Sequence, residues 1–166
     1  MTFQLTVGIL LAYIVPGLIV AWGTAHLIEN ASNFFLRFLE NPSTGSALAI
    51  SILIFAFGAI TDSIRALFID WLLDGLQKTK PPANYLQKLN KDNLPVFLML
   101  IERTQEYYRL NSNSCLALTF LLVAMLVKFR CTYYELLVLL GLIAMFFAAW
   151  KSRKETLWAM DQFSKS

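Results

Sequence analysis

Five ionisable residues stand at spacings that could support chemistry: Asp62 and Arg65, then Glu102, Glu106 and Arg109. The 3.6-residue repeat places Glu102, Glu106, Arg109 and Asn113 on one face of a helix. Glu102 and Glu106 are like charges one turn apart, which destabilises an isolated helix and calls for a positive neighbour. The spacing predicts a charge cluster at the cytoplasmic membrane surface, in which Arg65 faces Glu102 or Glu106 and Asp62 faces Arg109. Ionisable groups at membrane depth usually face a bundle interior, a cavity or each other. The cluster therefore reads first as a network that fixes helix register, and second as a conducting path, effector site or catalytic centre. Asp70 and Asp74, a turn apart, read as a solvated continuation of the helix that carries Arg65.

Other chemistries lack their parts. There is one histidine, His26, and two separated cysteines, Cys115 and Cys131. Together they make no C-x-x-C and no zinc set. Cys115 lies in an apolar run and reads as packing; Cys131 lies in a short outer turn as a free thiol or an intermolecular disulfide partner. Glu102-x-x-x-Glu106 lacks the histidines of a di-iron bundle. No H-E-x-x-H, G-x-S-x-G or phosphate-cradling glycine loop is present. The sequence thus points to no catalytic residues, no metal and no cofactor, and to a chain that is not an enzyme. A net charge of +3 without a basic, aromatic-interleaved stripe gives no footprint for nucleic acid.

The elements that must carry these residues are membrane helices. Of 166 residues, 57% are hydrophobic and 15% charged, and the mean hydropathy is +0.57; soluble domains carry about 25% charge. The apolar residues fall in blocks. A span needs ~20 of them, and four blocks qualify: residues 5–28, 44–67, 113–129 and 133–150. The first holds no formal charge, and its Pro16-Gly17 pair predicts a kink that a membrane helix tolerates. It reads as a retained span, since Met1 to Gln4 lack the basic residues of a signal peptide. Phe34-Phe35-Leu36-Arg37-Phe38-Leu39 reads as a short amphipathic helix on the outer face. Gly141, Ala144 and Ala148 offer a small-residue face for helix packing in the fourth span. Tyr133, Tyr134 and Trp150 mark the ends of that span.

Orientation follows from Lys and Arg in the connections. The segment from Thr61 to Ser112, Arg65 included, holds with the tail eleven; the opposite side holds three, Arg37, Lys128 and Arg130. Both termini and the middle segment therefore face the cytoplasm, with residues 71–112 a cytoplasmic helical segment. There Lys80-Pro81-Pro82 is a break, and Ala83 to Leu89 a short helix. Asp92, Asn93 and Pro95 then start a helix that nothing interrupts before Phe129. The expected fold is all-α: a single polytopic domain over 1–166, a four-helix transmembrane bundle whose second and third helices run on into the cytoplasm.

Phe97, Leu98, Leu100 and Ile101 on that protruding part need cover, and form the candidate partner surface. The favoured function is an integral membrane scaffold or anchor that contacts lipid and oligomerises or recruits a cytoplasmic partner protein. The layout resembles the small multi-span proteins that bacteria encode beside soluble partners, including membrane components of phage-defence systems. That resemblance implies a bacterial inner-membrane location. The alternative is an oligomeric channel or membrane-permeabilising effector with Asp62, Arg65 or Glu106 on its axis.

Overall fold

The computed structural model describes residues 2–40, 43–77, 94–127 and 133–165. They form α1 (Thr2–Leu27), α2 (Glu29–Glu40), α3 (Thr44–Gln77), α4 (Leu94–Val127) and α5 (Tyr133–Lys165), with no strand among the described residues. Cys131, the Lys80-Pro81-Pro82 break, the short helix expected over Ala83 to Leu89 and the Asp92-Asn93 cap lie outside them.

Four of these helices, α1, α3, α4 and α5, are long and apolar enough to cross a membrane. α3 and α4 each have 34 residues, ~51 Å of helix against a hydrocarbon layer of ~30 Å. α3 opens with reciprocal capping: the Ser46 amide donates to Ser43 Oγ at 3.1 Å, and the Ser43 amide to Ser46 Oγ at 3.0 Å. α4 has Pro95 in its first turn, where its missing N–H is free of cost. α1 runs through Pro16 without interruption.

The fourth long helix departs from expectation. α5 continues fifteen residues beyond Trp150, so three helices rather than two outrun a single bilayer crossing. From Tyr133 to Lys165 there is no proline and only Gly141, and Lys151 pairs with Glu155 one turn on, at 3.8 Å.

α4 is the central helix, flanked by α1 and α5, with α3 laid across α1 and reaching α4 and α5 near its end. Matching residues set the directions. Gly8 meets Glu106 and Gly23 meets Phe120, so α1 and α4 run parallel. Gly141 meets Leu118, and Tyr108 packs with Ala149, so α5 runs antiparallel to α4. The start of α1 and the end of α5 therefore lie at one end of the bundle.

Small residues allow the close approach. A Cβ at Gly17 would collide with the Ile54 carbonyl, and one at Gly58 would lie 2.8 Å from Tyr13 Cα. α1 and α3 thus cross backbone to backbone, a packing mode open to glycine alone. Ala12, Ala21, Ala117 and Ala124 are buried as well. Of the face expected on α5, Gly141 sits 3.6 Å, by its ideal Cβ, from Leu118 of the same protomer, Ala148 is half-buried and Ala144 is exposed.

Candidate functional site

One chain of polar contacts runs through all four long helices. It begins at Pro16. Proline has no N–H, so the carbonyl four residues back, on Ala12, has no intrahelical donor. Asn113 Nδ2 of α4 donates to that carbonyl at 3.0 Å and to Asp62 Oδ1 of α3 at 3.1 Å. Asn113 is fully buried. Its two acceptor partners fix the amide's orientation, since the flipped form would set oxygen against oxygen. Its Oδ1 has no partner among the described residues.

Asp62 also accepts from Tyr13 Oη at a long 3.5 Å and from Arg65 Nε at 3.1 Å. Arg65 Nη1 reaches both oxygens of Asp70, at 2.7 and 2.8 Å. Tyr108 of α4 donates its hydroxyl to Asp70. Two guanidiniums lie over the Tyr108 ring, Arg65 at 5.5 Å and Arg153 at 5.4 Å, within the ~6 Å reach of a cation–π contact. Arg153 of α5 closes the chain on Asp74 at 2.7 Å. The path runs from Asp74, half-exposed, to Arg65, whose side chain is 8% exposed.

The pairing differs from the one the spacing predicts. Arg65 pairs with Asp62 and Asp70 on its own helix, not with Glu102 or Glu106, and Asp62 meets Asn113 instead of Arg109. The reason lies in the rotation of α4. Its buried stripe is Phe97, Ile101, Tyr108, Ser112 and Cys115, offset from the charged face, of which only Asn113 turns fully inward. Glu102 and Arg109 are exposed. Glu106 turns toward α1, its carboxyl carbon 2.8 Å from where a Gly8 Cβ would stand, with Oε1 unpartnered among the described residues. Asp70, expected in solvent, is partly buried in the network, while Asp74 is exposed as expected and pairs with Arg153.

Sequence reasoning missed Tyr108 and Arg153 as members. Tyr108 carries no charge to mark it in the sequence, and Arg153 is one cation among several after Trp150. The available signal was the continuation of α5, which places Arg153 beside the end of α3.

The candidate partner surface also divides. Phe97 and Ile101 are 5% and 9% exposed, packed with Ala159 of α5 and bordered by Leu100 and Met160. Leu98 remains exposed at 45%. The extension of α5 covers what the sequence left open. Cys115 is buried and free. No group of three His, Cys, Asp or Glu side chains placed to hold a metal occurs among the described residues.

No protein-family model matches this chain, and neither a curated protein nor a solved structure shows significant similarity to it.

Proposed function

We propose that the chain is a membrane-embedded scaffold whose α4–α5 arm recruits a soluble protein or further copies of itself. In this reading it is an inner-membrane component of a bacterial defence-type system, with both ends in the cytoplasm. The bacterial setting rests on layout alone; the scaffold rests on the arm.

The arm's level in the membrane follows from aromatic residues. Leu73, Tyr108 and Ala149 form one buried cluster. Trp71, Tyr107 and Trp150 stand within two residues of it and are 75%, 53% and 39% exposed. Amphipathic rings gathered at one level favour the headgroup zone, and Lys151 and Lys154 follow directly. With the surface there, roughly 13 residues of α4 project beyond it, ~18 Å of helix. α5 runs alongside them to Lys165.

That arm is the observation that carries the reading. It is sealed by Phe97, Ile101 and Ala159, which use one stripe of each helix. Val96 is left 56% exposed, Met99 53% and Trp158 60%. Outside the bilayer such residues call for a protein cover.

The same level puts Asp62 ~13 Å inside along α3 and Asn113 ~9 Å inside along α4, within a hydrocarbon leaflet of ~15 Å. The network then runs from the surface into hydrocarbon, where charges persist when paired. Arg65 is engaged twice inside its own protomer. A channel with Arg65 and Asp62 on a symmetry axis would need them turned outward, so the scaffold reading is favoured.

The test is the mass of the detergent-solubilised particle with any co-purifying protein, before and after Val96→Glu with Met99→Glu. A multiple of the protomer mass, or a stoichiometric partner, is expected, and loss of either in the double variant at unchanged helical content. A wild-type particle that is monomeric and alone would sink the scaffold and channel readings together.

A further inference from the structure

The Gly17–Gly58 crossing divides the space between α1 and α3 into two wedges. On one side the gap holds Tyr13, Asp62 and Asn113. On the other, α1 and α3 diverge toward α2 and leave a cavity of about 340 Å³. Its walls come from Trp22 and Ala25 of α1 and Ile50 and Ile54 of α3, and its cover from Phe35 and Phe38 of α2. Every lining residue is apolar. We infer that this wedge binds one acyl chain of a membrane phospholipid.

Three features select that occupant. The first is medium. Leu18 and Trp22 line the cavity and are 49% and 68% exposed, so its open side is continuous with the apolar outer surface of a spanning helix. The second is depth. The wall runs from Ala25, half a turn before the end of α1, to Leu18, next to the glycine crossing that forms the floor. That is ~10 Å of helix, most of one ~15 Å leaflet. The third is size and lining. The volume lies at the lower end of ligand-sized cavities, ~300–1,000 Å³. With only apolar walls, a polar headgroup or a peptide backbone would find no partner inside. A hydrocarbon chain needs none.

The amphipathic helix α2 gains a role from this. It roofs the wedge with Phe35 and Phe38 and keeps Glu29, Arg37 and Glu40 exposed. A chain bound beneath it would have its ester end at the level of α2, where headgroups lie.

The experiment is native mass spectrometry of protein extracted from vesicles of phosphatidylethanolamine and phosphatidylglycerol. Wild type should retain one phospholipid per protomer through detergent washing. Ala25→Phe fills the wedge and should lower occupancy at least fivefold. Leu48→Phe adds bulk at a position 63% exposed and should leave occupancy unchanged. Phe38→Ala removes the roof without adding bulk; it too should lose the lipid, and it carries the test if Ala25→Phe does not fold. Wild type that arrives bare overturns the inference, and so does equal retention by wild type, Ala25→Phe and Phe38→Ala. Disulfide capture of Ala25→Cys between two protomers in lipid would assign the wedge to a second copy and overturn it as well. None of these readings depends on the arm, so failure here and failure of the scaffold reading are distinguishable.

Discussion

The Asn113–Ala12 contact makes a thermodynamic prediction that involves two helices and one missing proton. Asn113→Leu removes the donor from two acceptors at once: the Ala12 carbonyl, which Pro16 leaves without an N–H, and Asp62 Oδ1, which keeps Arg65 Nε at 3.1 Å. A buried acceptor left unpaired costs about 1–3 kcal/mol. Interhelical hydrogen bonds inside membranes average about 0.6 kcal/mol and reach about 1.7. The single variant should therefore lose about 1–3 kcal/mol, most of it from the carbonyl, which has no second donor. Pro16→Ala restores a backbone N–H four residues from Ala12. In that background Asn113→Leu should cost about 1 kcal/mol less than in wild type. The measurement is a double-mutant cycle by SDS titration in mixed micelles, following helical circular dichroism. Groups that do not share a partner combine additively to about 0.3–0.5 kcal/mol. A cost of Asn113→Leu that is equal in the two backgrounds within that margin would falsify the claim that Asn113 substitutes for the proline's missing donor.

Two further outcomes test the packing and the charges. Gly58→Leu places a methylene 2.7–2.8 Å from Tyr13 backbone carbons, where 3.4–4 Å is ordinary contact, so α1 and α3 must separate; Gly75→Ala, with nothing within 4 Å, is the neutral comparison. Size-exclusion profiles and thermal stability in detergent should degrade for the first and not for the second. Arg65→Met leaves Asp62 and Asp70 with their neutral donors but no counter-charge, and should cost about 3–5 kcal/mol. Arg65→Lys should recover little of this, because one ammonium cannot reproduce a guanidinium that holds both carboxylates; full recovery in the same unfolding assay would show that only charge matters.

Much of the fold was legible because each signal was local. Block hydropathy identified the four long helices, Phe34 to Leu39 showed the short amphipathic α2, and Pro95 marked the start of α4. The length of α5 was misread because Lys151, Arg153 and Lys154 read as a cytoplasmic tail. Charge at a span's end locates a membrane surface and says nothing about where a helix stops. That error had consequences: without α5 beyond Trp150, Phe97 and Ile101 had no cover and Asp74 no partner. The cluster was legible by membership in Asp62 and Arg65 but not by pairing. Pairing depends on the rotation of α4, whose charged stripe (Glu102, Arg109) and buried stripe (Ile101, Tyr108) lie only one residue, about 100°, apart. Spacing alone does not resolve that difference when a tyrosine and an asparagine compete with charged groups for the inward face.

The Pro16-Gly17 pair and the ionic network look like separate features in the sequence, and the geometry joins them. Gly17, with Gly58, lets α1 and α3 touch through their backbones. Pro16, one residue earlier, then frees an acceptor beside that contact. A donor for it must come from a third helix, and α4, parallel to α1, supplies Asn113 at the right height. Because the same amide also binds Asp62, a slide of α4 by one turn, ~5.4 Å, would break both bonds and leave an unpaired buried carbonyl and a carboxylate with one donor fewer. Register is thus set on the polar side of the crossing, where groups have few permissible partners. The apolar side has no such constraint and stays open as a wedge. The structural asymmetry of the protomer, a polar half bonded to α4 and an apolar half open toward α2, matches the side of Gly17 that the proline occupies.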